Sequence, residues 1–219
     1  MPRLLFEKMG SAVWISHLDL MRLFQRSFKR AGLLLSHSNG YNPRPSVSIA
    51  LPLSVGVESH CELLDFELVG DAPSCDAIRD RLNNALVDGV RVRDVFEKGE
   101  KIGNLAYLRC SIKLYYDNTI EDSALKSLQN LFASECLLVD KKTKSGIQEQ
   151  DIIPMIRSVN VIRVDRDTIL LDAIICCQNP TLNPNQMVLA IEKYLPELKP
   201  KCSKCCREEI YDKNESVFR

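Results

Sequence analysis

Apolar and polar residues alternate along this chain in two rhythms, one of period two and one of helical period, and their order predicts the fold. Residues 3–7 read as a first strand that resumes at 12–15, after the turn signal Gly10-Ser11. Ser16 then offers an N-cap, and Asp19, three residues on, stands where a capping box places its acidic member. Residues 17–31 carry the best-defined helical pattern, and Gly32 supplies its stop. On this helix Leu20, Met21, Phe24, Phe28 and Ala31 fall on one side, and Arg22, Arg26, Lys29 and Arg30 on the other.

Strands follow at 47–51 and 63–69, then a helix at 74–87 and a strand at 90–96. The second half has a strand at 105–116, a helix at 120–133, and strand pieces at 137–140 and 152–156 around a polar, lysine-rich stretch at 141–150. A hairpin of 159–164 and 169–176 turns at Asp165-Arg166-Asp167, and a helix at 185–195 precedes a last short strand at 209–211. Strand, helix, strands, helix, strand is the order of a split β-α-β unit, and it occurs twice. The pattern therefore predicts an α+β protein of two tandem ferredoxin-like (split β-α-β) modules, at 1–98 and 104–219. Each would have an antiparallel sheet with helices on one face, and 99–103 would link them. One continuous α+β sheet is the alternative architecture. The halves share element order and no residue-level repeat.

Composition is that of a globular chain, with 45% hydrophobic and 26% charged residues among 219. The formal net charge of zero excludes bulk attraction to nucleic acid or to an anionic membrane. The charge is nonetheless uneven: residues 1–57 hold seven basic side chains against two acidic ones, and residues 58–100 hold five against eleven. The nine cysteines, an odd number, with neither a leader pattern nor a membrane-spanning apolar run, predict free thiols in the cytoplasm and no membrane partner.

Trp14-Ile-Ser-His-Leu-Asp-Leu-Met-Arg-Leu-Phe-Gln-Arg-Ser-Phe-Lys-Arg-Ala-Gly32, Gly40-Tyr-Asn-Pro-Arg-Pro45 and Leu51-Pro-Leu-Ser-Val-Gly56 together resemble the uncharacterised radical-SAM-linked protein family. The signature covers roughly the first 60 residues, and Asp151-Ile-Ile-Pro154 extends it weakly into the second half. The resemblance implies a companion of a radical SAM protein and transfers no catalytic residue. The chain itself lacks the Cys-x3-Cys-x2-Cys spacing that holds such an enzyme's cluster. No cofactor is therefore expected in it.

The cationic helix face and the loop at 36–45 form the leading candidate surface. Arg22, Arg26, Lys29, Arg30 and Arg44 suit phosphates, Tyr41 suits stacking on an unpaired base, and Ser38 and Asn42 supply polar groups beside it. A solvated helix face with a rigid turn, or a protein-docking surface, would carry the same residues. His17, at the helix start on the apolar side, is a candidate neutral base and equally a packed structural residue. Cys202, Cys205 and Cys206 would suit zinc if Cys176 or Cys177 joined them, while Cys176 and Cys177 also read as core. Glu58, Glu62 and Asp65 read as surface charges.

No nucleotide-binding loop, nucleophile elbow, metalloprotease helix or RNA-recognition-motif signature is present in the sequence. Three functions follow. The first is a non-catalytic accessory protein that binds transfer or ribosomal RNA for modification by a radical SAM enzyme. The second is a protein-docking module for that enzyme. The third is a small metal-independent ribonuclease-like enzyme using His17 and Tyr41.

Overall fold

The computed structural model describes residues 1–143 and 146–219. The chain is a mixed α+β protein with antiparallel strand pairing and, among the described residues, four α-helices. It divides into two compact units, residues 1–104 with 218–219, and residues 105–217.

The first unit contains β1 (Arg3–Lys8), α1 (His17–Arg30), β2 (Val47–Ile49), β3 (Glu58–Phe66), α2 (Cys75–Asn83) and β4 (Val90–Phe96). Its strands lie in the order β4-β1-β3-β2, and every neighbouring pair is antiparallel. Leu4 faces Leu64 across the β1–β3 pair and Val95 across β1–β4, which sets the inner face. α1 lays Leu20, Phe24 and Phe28 into the same core as these positions. Phe24 meets Phe6 edge-on at 4.7 Å, and Phe28 lies 5.2 Å from Phe66. Each buried phenyl removes apolar surface from water and contributes roughly 1.5–3 kcal/mol.

Arg3 is only 2% exposed and is held on three sides. It forms a two-pronged pair with Asp65 (2.6 and 3.0 Å), donates to the Glu100 carbonyl at 2.8 Å, and covers the Phe218 ring at 5.2 Å. Phe218 is itself fully buried, which is why the last two residues belong to this unit. Asp65 and Glu62 are thus not surface charges: Asp65 anchors Arg3, and Glu62 is buried within β3.

The second unit contains β5 (Leu105–Tyr115), α3 (Asp122–Phe132), β6 (Leu138–Thr143), β7 (Gly146–Asp151), β8 (Ile156–Asp165), β9 (Thr168–Cys176), α4 (Pro184–Tyr194) and β10 (Cys202–Asp212). Strands β10-β5-β9-β8 pair antiparallel in that order, and β6 and β7 form a separate two-stranded sheet. Alternate residues of β5 (Leu108, Cys110, Ile112, Leu114) and β9 (Ile169, Leu171, Ala173, Ile175) are buried, as period two requires. α3 buries Ala124, Leu128 and Leu131, and α4 buries Met187, Ala190 and Ile191.

Several segments differ from their sequence pattern, each for a local reason. The expected strand at 12–15 is a 3-10 turn over Gly10–Trp14, because its carbonyls are taken by a buried lysine described below. β3 begins at Glu58 and not at 63, since Ser59 and Glu62 are polar yet buried and hide the alternation. The polar stretch 141–150 contributes to the β6–β7 hairpin, with residues 144–145 outside the described residues. Of the expected strand piece at 152–156, only Ile156 is in a strand, as the first residue of β8. Pro154 has no amide to give, and Asp151 accepts the Leu137 and Ile153 amides (2.9 and 3.1 Å), folding Ile153–Met155 into a 3-10 turn. The last strand runs eleven residues, well beyond 209–211, because β5 supplies pairing that the charged sequence of β10 does not advertise.

Candidate functional site

Lys8 ends β1 with its side chain fully buried, and its Nζ donates to the carbonyls of Val13 (3.1 Å) and Ile15 (2.8 Å). These two carbonyls flank Trp14. The same turn is tied by the Gly56 amide to Val13 (2.9 Å) and by the Met9 amide to Gly89 (2.7 Å). Gly89 has a φ of +83°, and a Cβ there would stand 2.5 Å from the Met9 carbonyl oxygen, so only glycine fits. The backbone around Trp14 is therefore over-determined, while the indole itself is 72% exposed. One edge of the ring lies beside Gly56, where a Cβ would come to 3.7 Å of Cζ3. Leu18 and Val55, nearby in the chain, are also exposed.

α1 begins directly after this turn. The Asp19 amide donates to Ser16 Oγ at 3.2 Å, and that hydroxyl donates to Asp19 Oδ2 at 2.7 Å. Arg22 pairs with Asp19 at 3.0 Å on the surface. The Ser16 hydroxyl first, and then Arg22, hold the Asp19 carboxyl below the usual carboxylate range. Leu18, Arg22, Arg26 and Lys29 are all exposed and follow one another at helical spacing, a stripe about 16 Å long. Arg30 stands apart from it. Its guanidinium donates to the Ala85 carbonyl and to Ser27 Oγ, fastening α1 to the turn after α2. Of the seven basic residues at 1–57, Arg3 and Lys8 are buried and Arg30 is bonded to backbone, so the surface excess is smaller than the sequence count.

The loop at 36–45 is a narrow hairpin. The Ser38 amide donates to the Arg44 carbonyl (2.9 Å), the Ser46 amide to the Ser36 carbonyl (2.8 Å), and the Ser36 amide to the Glu67 carbonyl (2.8 Å). Ser38 Oγ accepts the Arg44 amide at 3.0 Å, so this hydroxyl braces the hairpin. Tyr41, Asn42 and Arg44 are exposed at and beside the tip, and Tyr41 has no cover at all.

Strand β3 separates these features. Glu58, at its start, receives the Gly10 amide (3.4 Å) next to the Trp14 turn, whereas Phe66, at its end, pairs with Val47 beneath the hairpin. Nine strand residues span about 25 Å. Trp14 and His17 thus lie at one end of the unit and Tyr41 at the other, with α1 running between them. His17 and Tyr41 are not brought together as an acid–base pair. His17 is half-buried, and its Nδ1 is shielded from solvent with no hydrogen-bond partner among the described residues.

The cysteines of β10 do not converge on one another. Cys205 and Cys206 are consecutive on a strand and point to opposite faces, Cys202 is exposed, and no metal-holding trio of the three forms among the described residues. Cys205 instead hydrogen-bonds Cys110 of β5, which lowers the Cys205 thiol and raises that of Cys110. Cys177 is buried, and burial pushes its thiol up to about 12. The second unit also has an open cavity of about 630 Å³ beside Tyr116, Asp117, Lys199 and Lys201. Its two lysines are paired, with Glu192 and Asp117, and burial pushes the Tyr116 phenol up to about 12.

A family model matches residues 2–184. The chain belongs to the family described as "Uncharacterized protein conserved in bacteria (DUF2344)". The matched span takes in the Trp14 turn, α1, the hairpin and Asp151 in this family member. No curated protein matches the chain. Among solved structures, one chain from the "Crystal Structure of a Cbf5-Nop10-Gar1 Complex" is 7% identical with a TM-score of 0.55, over 95% of this chain and 48% of that one. A second, from the "Structure of H/ACA RNP bound to a substrate RNA containing 2'-deoxyuridine", is 8% identical with a TM-score of 0.47, over 94% and 46%. The chain spans about half the length of these two solved chains. At such identity the first likeness shows the fold alone.

Trp14 is the residue that sequence reasoning passed over. The available signal was an aromatic residue two positions before the cap of an amphipathic helix, where the pattern expected the first strand to resume.

Proposed function

We propose that this protein is a non-catalytic accessory of a radical SAM enzyme and that its first unit holds RNA, transfer or ribosomal, for modification. The carrying observation is the stripe Arg22, Arg26 and Lys29 on α1: three exposed cations on a helix whose folding needs only its opposite face. Arg44 and the uncovered Tyr41 extend the same chemistry at the hairpin. Cations supply salt-sensitive attraction to phosphates, and exposed aromatic rings supply stacking. The radical SAM partner rests on the resemblance of residues 14–56. The nine unbridged cysteines agree with a reducing, cytoplasmic setting. Each unit reads as a ferredoxin-like module, a reading supported by the strand order fourth-first-third-second in both, with the β6–β7 hairpin inserted in the second.

The test is RNA binding by the full chain, measured by fluorescence anisotropy from low to high salt. Affinity should fall steeply with salt, and the double variant Arg22→Glu/Arg26→Glu should lose at least tenfold. Absence of salt-dependent binding would sink the proposal. A stable complex with a radical SAM protein, unchanged by nuclease and by the charge reversals, would replace RNA binding with plain protein docking.

A further inference from the structure

We infer that the ligand of this surface is an extended single strand, with one unpaired base stacked on Trp14 and its phosphates following α1 towards the hairpin. The inference rests on the RNA reading above and narrows it to a conformation and a polarity of contacts. Three observations carry it.

The first is the mounting of Trp14. A buried lysine, two amide ties and an obligatory glycine fix the turn on both sides of this residue, yet its ring is left in solvent. A side chain serving the core would point inward, as Ala12 and Val13 of the same turn do. A rigid backbone, a ring edge against Gly56 and an otherwise open indole make a stacking platform, and holding it in place beforehand lowers the entropy lost on binding.

The second is the order of groups along the helix. Trp14 and Leu18 are apolar, Arg22, Arg26 and Lys29 follow at successive turns, and the chain beyond α1 leads to the hairpin carrying Arg44 and Tyr41. An aromatic ring at each end of a cationic track matches a splayed strand, whose bases are free to leave the stack. A duplex keeps its bases inside and would meet Trp14 only with phosphates and sugars. The third is distance: the ends of β3, beside which the Trp14 turn and the hairpin are tied, are about 25 Å apart, and α1 is about 20 Å long. That span suits a strand of roughly 4–8 nucleotides, the lower part of the usual site-size range.

Trp14 is the only tryptophan in the chain, so its emission reports this contact alone. The experiment titrates the full-length protein with an eight-nucleotide oligouridylate, an eight-nucleotide oligoadenylate and a blunt RNA duplex of equal length, following tryptophan emission and anisotropy together. Single strands should quench Trp14 and bind more tightly than the duplex. Trp14→Leu, which keeps apolar bulk and loses the ring, should weaken single-strand binding roughly ten- to a hundredfold, and Trp14→Phe should restore most of it. Single-strand binding with unchanged emission and a parental affinity for Trp14→Leu would overturn the inference and leave the RNA reading standing. Equal affinity for the duplex would do the same. If neither form of RNA binds, both fall. If a purified protein partner quenches Trp14 and RNA does not, the surface is a protein interface and the inference is wrong.

Discussion

The first helices of the two units occupy the same place in the same strand order but have different outer faces. α1 follows β1 and α3 follows β5, and in each unit the strand before the helix lies second in the order fourth-first-third-second. Both helices bury an apolar stripe, Leu20, Phe24 and Phe28 in one and Ala124, Leu128 and Leu131 in the other. Their exposed sides diverge: α1 shows Leu18 and four cations (Arg22, Arg26, Lys29 and Arg30) beside the single acid Asp19, whereas α3 shows Asp122, Ser123, Lys126, Gln129 and Asn130. The two units thus share a strand order while their first helices differ in outer charge. The entrances differ in the same sense. α3 has a side-chain-free cap at Glu121, while α1 is entered through a turn pinned by buried Lys8 that presents Trp14.

The buried faces should be equivalent in weight. Phe24→Ala should cost about 3–5 kcal/mol and Leu128→Ala about 2–5 kcal/mol in urea unfolding, since both side chains are fully buried. A loss below about 1 kcal/mol at either site would break the claim that both helices are held by their inner stripe. Next in size is Lys8→Met, which removes the lysine donor from the Ile15 carbonyl and leaves the Val13 carbonyl only the Gly56 amide. It should cost about 1–3 kcal/mol and loosen Trp14, seen as faster depolarisation of its emission.

The outer faces should separate sharply in function and hardly at all in stability. Arg22→Glu/Arg26→Glu should leave the unfolding free energy within about 0.5 kcal/mol of the parent. The same pair should make the salt dependence of RNA binding shallower, by about one unit of slope per lost phosphate contact. Lys126→Glu on α3 should change neither. Equal losses from the two helices would mean that the cations of α1 act only through the overall charge.

The smallest effect concerns acid. The Leu137 amide first, with help from the Ile153 amide, lowers the Asp151 carboxyl below its ordinary range. A depressed folded-state value stabilises the protein above the unfolded pKa of about 4, and the gain is lost as pH falls through the folded value. The unfolding midpoint of the parent should therefore drop below about pH 4. Asp151→Asn should be less stable near neutrality and flatter in acid. A parallel acid limb in the two proteins would show that Asp151 does not hold its turn through the carboxylate.

Much of this was legible in the residues because local physics fixes it. The periodicity of α1, its Ser16 cap and its Gly32 stop are properties of neighbouring residues, so the helix, its inner stripe and the outer cations all follow from the sequence. The order of strands and helices follows for the same reason. Pairing is different. β10 is dense in charge and becomes a strand because β5 lies beside it, and the start of β3 is polar yet buried because the fold closes over it. The roles of individual charges also waited for tertiary structure. Arg3, Lys8, Arg26 and Arg30 look alike in sequence, but only long-range geometry makes one a partner of Asp65, one a clamp on a turn, one an exposed cation and one a fastener to Ala85. Burial decides what a charged group does, and burial depends on residues distant in the chain. The sequence alone therefore determined the elements and the location of the candidate surface. The structure decided which charges are exposed there, and it showed Trp14 exposed on a turn held by a lysine six residues away and a glycine at position 89.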